Sequence, residues 1–321
     1  MTQSGKFEPK GVIPACLLPF NPDFSIDETS FRKHLNDVVA VSGLSAITVN
    51  AHSTEVSSCS FDEQLRVLDI TVDEVGSRIP VVNGVYAEGG AEAARIAKMA
   101  AKGGASCLLV FPPNSLALGA MSRPEIVISH FKAIADACDL PIIAFEYRPE
   151  SGLGYPLDTL VKLAEQVPTV RAIKDWCNSP VLHERHIRVL QNLPHPVNVL
   201  STHSAWLLGS LVLGCNGLLS GSGSVIADLQ LALFQAVQKN DLAKAREFHD
   251  RIYPLAEAFY ADPFIDMHNR MKEALVMLGR IPCATVRPPL LKLSDSERSG
   301  IRRALQQARV RPGGALVAAA A

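Results

Sequence analysis

The feature that most constrains this chain is a regular alternation of short apolar runs with amphipathic helical stretches, repeated eight times before residue 240. Residues 12–18 are apolar and closed by Pro19-Phe20-Asn21-Pro22, which cannot continue a strand ladder. Ser25-Ile26-Asp27-Glu28 then has the pattern of a capping box, and Phe31, Leu35, Val38 and Val39 follow at helical spacing. The pair recurs. Residues 45–50, 80–85, 106–111, 141–147, 170–174, 197–201 and 217–220 are predicted strands, each followed by a helical pattern. Ser60-Phe61-Asp62-Glu63 is a second capping box, before the helix that ends near Gly76.

Strands that are apolar on both faces, separated by helices, belong to a parallel sheet covered by helices. Eight such units predict a closed (β/α)8 TIM barrel rather than an open doubly wound sheet. The dinucleotide-binding alternative lacks its GxGxxG turn: Gly217, Gly221 and Gly223 come nearest, with Leu219 where the second glycine is needed. Beyond Ser220 the pattern is helical only. Residues 226–239 supply the eighth barrel helix, and Ser294-Asp295-Ser296-Glu297 boxes the start of a last one. The expected organisation is an α/β barrel over 11–240, a C-terminal helical appendage over 241–310 and a disordered tail over 311–321.

Charge excludes some functions. With 31 basic and 32 acidic side chains the formal net charge is -1, so no global attraction to nucleic acid or an anionic membrane is expected. No apolar run reaches membrane-spanning length and MTQSGKFEPK has no signal-peptide core, so a soluble, cytoplasmic protein is expected. The seven cysteines are scattered singly, which suits buried thiols better than disulfides or a zinc site.

In a (β/α)8 barrel the chemistry lies at the C-terminal strand ends. Strand two runs into Asn50-Ala51-His52-Ser53-Thr54-Glu55, strand five into Glu146-Tyr147-Arg148-Pro149, and strand seven into Ser201-Thr202-His203-Ser204. Strand six ends at Lys174, and alternation places Val170, Ala172 and Lys174 on one face. A lysine over an apolar wall loses its charge more easily, and a neutral amine attacks a ketone to give a Schiff base. Tyr147, from the neighbouring strand, is placed to shuttle the protons this needs. Taken singly, a strand-end lysine is ordinarily a solvated charge. His52 and His203 are substrate contacts or plain loop histidines, and Trp176 and Trp206 line the mouth or pack between helices. A metal held by His52, His203 and Glu146 is conceivable, but an imine-forming lysine needs neither metal nor cofactor, and none is expected. The Gly221-Ser222-Gly223 loop is read as a tight strand-to-helix turn, with an anion cradle as the alternative.

From about Gly11 to Ala308 the chain resembles the dihydrodipicolinate synthase and N-acetylneuraminate lyase superfamily of lysine-dependent pyruvate aldolases. The resemblance is carried by Pro19-Phe20, Ile26-Asp27, Ser53-Thr54-Glu55, Tyr147, Ala172-Ile173-Lys174-Asp175, residues 214–220, Asn269-Arg270-Met271-Lys272-Glu273-Ala274-Leu275 and Arg287-Pro288-Pro289-Leu290. It implies that Lys174 is the Schiff-base lysine, Tyr147 the proton shuttle, and Leu219 an apolar neighbour of bound pyruvate. Ser53 and Thr54 would hold the 2-oxo-acid carboxylate, with His52, Arg148 and His203 choosing the rest of the substrate. It also implies a homo-oligomer, tetramer or dimer, and a second, aldehyde substrate. The chain departs from the pattern in four places: His52 replaces a small hydroxyl residue, Thr54 replaces a glycine, Val110-Phe111-Pro112-Pro113-Asn114 lacks the synthase's cross-subunit tyrosine, and in the shortened loop Tyr147-Arg148-Pro149-Glu150-Ser151-Gly152 Arg148 stands closer to the tyrosine than the arginine that holds the second substrate's carboxylate in the synthase. These departures predict a relative that cleaves or condenses another 2-oxo acid rather than the lysine-biosynthetic enzyme. The alternatives are a 2-keto-3-deoxy sugar acid dehydratase using the same imine, and a noncatalytic 2-oxo-acid-binding barrel.

Overall fold

The computed structural model describes residues 7–312. The strand–helix alternation runs β1 (Gly11–Pro14), α1 (Glu28–Val39), β2 (Ile47–Val49), α2 (Phe61–Val75), β3 (Val81–Val85), α3 (Gly90–Lys102), β4 (Cys107–Val110) and α4 (Pro124–Ala135). It continues through β5 (Ile142–Glu146), α5 (Leu157–Gln166), β6 (Val170–Asp175), α6 (Pro180–Leu190), β7 (Asn198–Ser201), α7 (Leu207–Val212), β8 (Gly217–Ser220) and α8 (Gly223–Gln238). Three further helices follow, α9 (Leu242–Phe259), α10 (Met267–Met277) and α11 (Asp295–Gln307). Of the disordered tail expected over 311–321, residues 313–321 lie outside the described residues.

The strands pair in parallel in the order β1-β8-β7-β6-β5-β4-β3-β2. A parallel bridge between Ala15 and Thr48 joins the two outer strands and closes the (β/α)8 barrel. Closure divides the core in two. Ile13, Val82, Leu109, Phe111, Ile143, Phe145, Ala172, Leu200 and Leu219 fill the barrel interior, while a larger layer of aliphatic side chains lies between strands and helices. Both faces of each strand are thus buried, which is why the strands read as continuous apolar runs.

Two local expectations change. The first helix is capped not by Ser25 but by Asp27, whose carboxylate accepts from Ser30 N at 3.0 Å. The Phe20–Ile26 bridge holds the intervening residues as a turn, in which the Ser25 hydroxyl donates to Asp23 at 2.6 Å. In β6, the register against β5 slips by one residue between Val170 and Ala172. Such an irregularity reverses the phase of a two-residue period. Val170 therefore packs in the outer layer, and Ala172 with Lys174 faces the barrel interior.

α9 packs along α8, and α10 and α11 pack against α9 and each other. α10 is locked to the barrel by the side chain of Lys272, which is fully buried, donates to Glu55 in the turn after β2 and also donates to Thr285 O at 2.9 Å. Glu55 further accepts from Arg287 N at 3.1 Å. Among the described residues no helix is long and apolar enough to cross a membrane.

Candidate active site

A cavity of about 420 Å³ opens at the C-terminal ends of the strands, with Lys174 in its wall. The ammonium carbon chain rises from β6 over the ring of Phe145, Nζ lying 4.0 Å from the ring centroid. Phe145 and Lys174 are register partners on adjacent strands, so the backbone itself sets this contact. Lys174 is 7 % exposed, and among the described residues no carboxylate pairs with it. Burial without a counter-charge pushes its pKa down to about 7, so a substantial share of the amine is neutral at neutral pH.

The next residue faces the other way. Asp175 lies in the layer behind the strand, where His183 and His186 of α6 each place Nδ1 2.8 Å from Oδ2, and Cys177 N donates to Oδ1 at 2.9 Å. Burial alone would raise this carboxyl, but the bonds from His183, His186 and His203 outweigh it and hold it well below the usual carboxylate range. Beside it on β5, Glu146 is raised well above that range by burial and then by the charge of Asp175. The strand end that carries Lys174 is thereby fixed from behind by buried polar contacts.

The turn after β2 supplies the opposite wall. Asn50 adopts φ 52° and Glu55 φ 51°, bracketing a tight helical turn over His52–Thr54. The Thr54 hydroxyl closes this turn, donating to Ala51 O at 2.8 Å and accepting from Ala51 N at 2.6 Å. Thr54 thus holds the turn's shape and has no proton left for a ligand. The Ser53 hydroxyl, by contrast, lines the cavity buried and without a partner. His52 reaches across the barrel to hydrogen-bond the Tyr147 hydroxyl through Nε2, its ring edge-on to Phe111 at 4.7 Å. Burial, and then the charge of Lys174, lower the His52 pKa to about 3, while burial raises Tyr147. The pair is a neutral imidazole against a neutral phenol.

The other predicted residues are distributed as follows. Arg148 is exposed at the cavity rim, with its guanidinium 5.2 Å from the Trp176 ring centroid. His203 borders the cavity but is engaged, stacked on Trp206 at 4.2 Å with Nε2 3.5 Å from Asp175 Oδ1. Leu219 lies within the barrel core opposite Ile13 and does not reach the cavity. Trp176 and Trp206 both line the mouth. Among the described residues the trio His52, His203 and Glu146 is not assembled; those whose ligand atoms do converge are Asp175, Cys177 and His203.

Two parts of the site escaped the sequence reading. Tyr86, directly after β3, lies 6.0 Å from the His52 ring and accepts from Asn114 Nδ2 at 3.1 Å. It satisfies the rule of polar residues just past a strand and was legible in that way. The second is the whole outer wall, made by Glu257 and Tyr260 at the end of α9, Phe264 in the linker, and Met267 and His268 at the start of α10. Phe264 stacks on Trp176 at 4.8 Å and 16°.

Comparisons with known proteins agree with this architecture. The family model described as the dihydrodipicolinate synthetase family matches residues 8–308. A protein of Rhodopseudomonas palustris named 4-hydroxy-tetrahydrodipicolinate synthase is 31 % identical over 300 residues, covering 92 % of this chain and 95 % of its own. One of the same name from Syntrophus aciditrophicus is 30 % identical, covering 92 % and 97 %. Among solved structures, YagE, a prophage protein of the dihydrodipicolinic acid synthase family from E. coli K12, superimposes with a TM-score of 0.86 at 23 % identity, covering 94 % of this chain and 99 % of its own. Those relatives carry the name of the synthase itself, so the expectation of an enzyme other than the lysine-biosynthetic one is not borne out. An eight-stranded barrel, a lysine at the end of its sixth strand and a family match over nearly the whole length lead to one assignment: this chain belongs to the dihydrodipicolinate synthetase family of lyases.

Proposed function

We propose that the chain is a class I lyase in which Lys174 forms an imine with C2 of pyruvate or a longer 2-oxo acid, and the imine then makes or breaks a carbon–carbon bond with an aldehyde. The observation that carries this is a lysine buried without a counter-charge, facing a cavity shared with His52, the hydrogen-bond partner of Tyr147. The neutral amine attacks C2. The carbinolamine oxygen leaves as water after taking a proton from Tyr147, which regains one from solvent while its hydrogen bond to His52 holds the phenol in place. The protonated imine is an electron sink for C3, giving an enamine nucleophile. Ser53, which borders the cavity and whose buried hydroxyl has no hydrogen-bond partner, is assigned to the carboxylate, and Arg148 at the rim to an anionic group on the second substrate. Thr54 acts by shaping the turn that presents Ser53.

Borohydride reduction in the presence of pyruvate is expected to leave a covalent adduct on Lys174, located by peptide mass spectrometry and missing in Lys174→Ala. Pyruvate bound with the lysine unmodified would defeat the mechanism. A screen of aldehydes, beginning with that of the 4-hydroxy-tetrahydrodipicolinate synthase reaction, defines the second substrate. Light scattering tests the homo-oligomer, tetramer or dimer, that accompanies this reading.

A further inference from the structure

Aldol chemistry moves protons at two separate places: at the imine carbon and C3, and at the oxygen on C4. Tyr147 and His52 are hydrogen-bonded to each other, and they serve the first place. On the appendage side of the cavity stands a group with no such commitment. His268, the second residue of α10, is 8 % exposed and lines the same cavity as Lys174, His52 and Ser53. Its ring makes no hydrogen bond among the described residues, and neither nitrogen is among the polar atoms sealed in without a partner, so the ring is open to the cavity. The fold makes room for it: a Cβ on Gly221, in the turn between β8 and α8, would sit 3.0 Å from His268 Nε2. Burial, and then the neighbouring His52, Lys174 and Lys272, hold its pKa well below the ordinary histidine range. It is a neutral imidazole with a lone pair at physiological pH.

We propose that His268 is the catalytic base for the C4 hydroxyl: it takes that proton as the C3–C4 bond breaks and returns it to the aldehyde oxygen as the bond forms. The proposal rests on the imine reading above. In cleavage, the substrate is a 4-hydroxy-2-oxo acid held as the protonated imine on Lys174. A lone pair of His268 takes the hydroxyl proton, and the O–H electrons form the C4 carbonyl. The C3–C4 electrons become the C2–C3 double bond, and the imine π electrons return to the lysine nitrogen. One neutral imidazole and one iminium thus become one imidazolium and one neutral enamine. The aldehyde leaves, the imidazolium gives its proton to solvent, and Tyr147 protonates C3. Condensation is the reverse sequence. The barrel therefore supplies imine chemistry and the helical appendage supplies the acid–base group for the electrophile.

The test separates the two proton positions by comparing wild type with His268→Gln and His268→Ala. Three readouts are taken: borohydride trapping of pyruvate, exchange of the pyruvate methyl protons in D2O without aldehyde, and cleavage of the acetaldehyde and benzaldehyde adducts of pyruvate. Trapping and methyl exchange are expected within about twofold of wild type in both variants, and cleavage kcat is expected to fall about 100- to 1,000-fold, the range for loss of one acid–base group. Added imidazole should restore part of the His268→Ala cleavage. Retained methyl exchange also shows that the variants are folded with an intact inner site. Unchanged cleavage overturns the proposal, as does a loss of exchange equal to the loss of cleavage. Absence of a trapped adduct in the wild-type protein overturns the imine reading itself, and this proposal with it.

Discussion

The inner half of the cavity is built by strand ends and the outer half by the helices that follow the barrel, and the two are held by different forces. Lys174, Phe145 and the Tyr147–His52 pair stand on or just past strands whose ladder partners fix their positions within the pleat. The outer groups, Tyr260, Phe264 and His268, belong to segments held by helix packing, by the buried Lys272–Glu55 pair and by side-chain bonds, among them Arg270 to Asp262 O at 3.3 Å and Ser222 N to the Tyr260 hydroxyl at 3.3 Å. A rigid strand end suits a nucleophile that must meet a carbon atom within a fraction of an ångström. Helices tied on through side chains rather than a strand ladder suit a wall that admits the second substrate.

The sharpest way to break this division is at the inner half. Lys174→Ala is expected to lower kcat by about 10,000-fold or more, because no other group can form the imine, while the far-ultraviolet circular dichroism stays that of wild type. Next in size, Tyr147→Phe keeps the ring against Phe145 (4.4 Å between centroids) but removes the proton, and a fall of about 100- to 1,000-fold in both methyl exchange and cleavage is expected. The pH dependence follows from the buried amine. An ordinary lysine, with a pKa of about 10.4, would give a rate still rising above pH 9. With the Lys174 pKa held down to about 7, the neutral fraction is nearly complete above that pH and falls tenfold for each unit below it. Cyanoborohydride trapping at saturating pyruvate should therefore level off on the alkaline side of 7 and drop on the acid side. A curve that still climbs at pH 9 would show that the amine is not desolvated in the working enzyme.

The same division explains what the sequence made legible. The eight strands, the barrel and Lys174 follow from periodicity because closure forces every strand to be apolar on both faces, and a lone lysine at a strand end then stands out. Val170 was placed on the wrong face because a one-residue slip in register leaves no mark in composition. The hydroxyl of Thr54 looks like that of Ser53 in sequence; only the backbone conformation that turns it back onto Ala51 separates their roles. His268 could not be found from strand ends at all. It reaches the mouth because α9 and the linker after it return the chain over the barrel, a long-range arrangement set by α10 packing and by Gly221 rather than by any local pattern.

The link between the halves is the place for a stability test. Lys272→Met leaves Glu55 buried without its cation, and removal of one partner of a buried pair costs about 3–5 kcal/mol. Urea unfolding should show that loss, and Glu55→Gln in the Lys272→Met background should recover part of it, since the stranded charge is then gone. Methyl exchange in folded Lys272→Met should fall less than cleavage, because the displaced element is the appendage.

The smallest expected effect is on the outer wall alone. Phe264→Ala removes the ring stacked on Trp176, a contact of the kind worth about 0.5–1.5 kcal/mol beyond its buried area. Trp176 itself, half-buried beside Tyr147 and beneath Arg148, would keep its place on the barrel side. The loss should therefore appear as a severalfold rise in KM for the aldehyde or its adduct, with the KM for pyruvate, the methyl exchange rate and the pH limb near 7 all unchanged. If pyruvate exchange fell together with aldehyde affinity, Phe264 would be holding the Trp176–Tyr147 contact in place, and the wall would belong to the inner site as much as to the outer one.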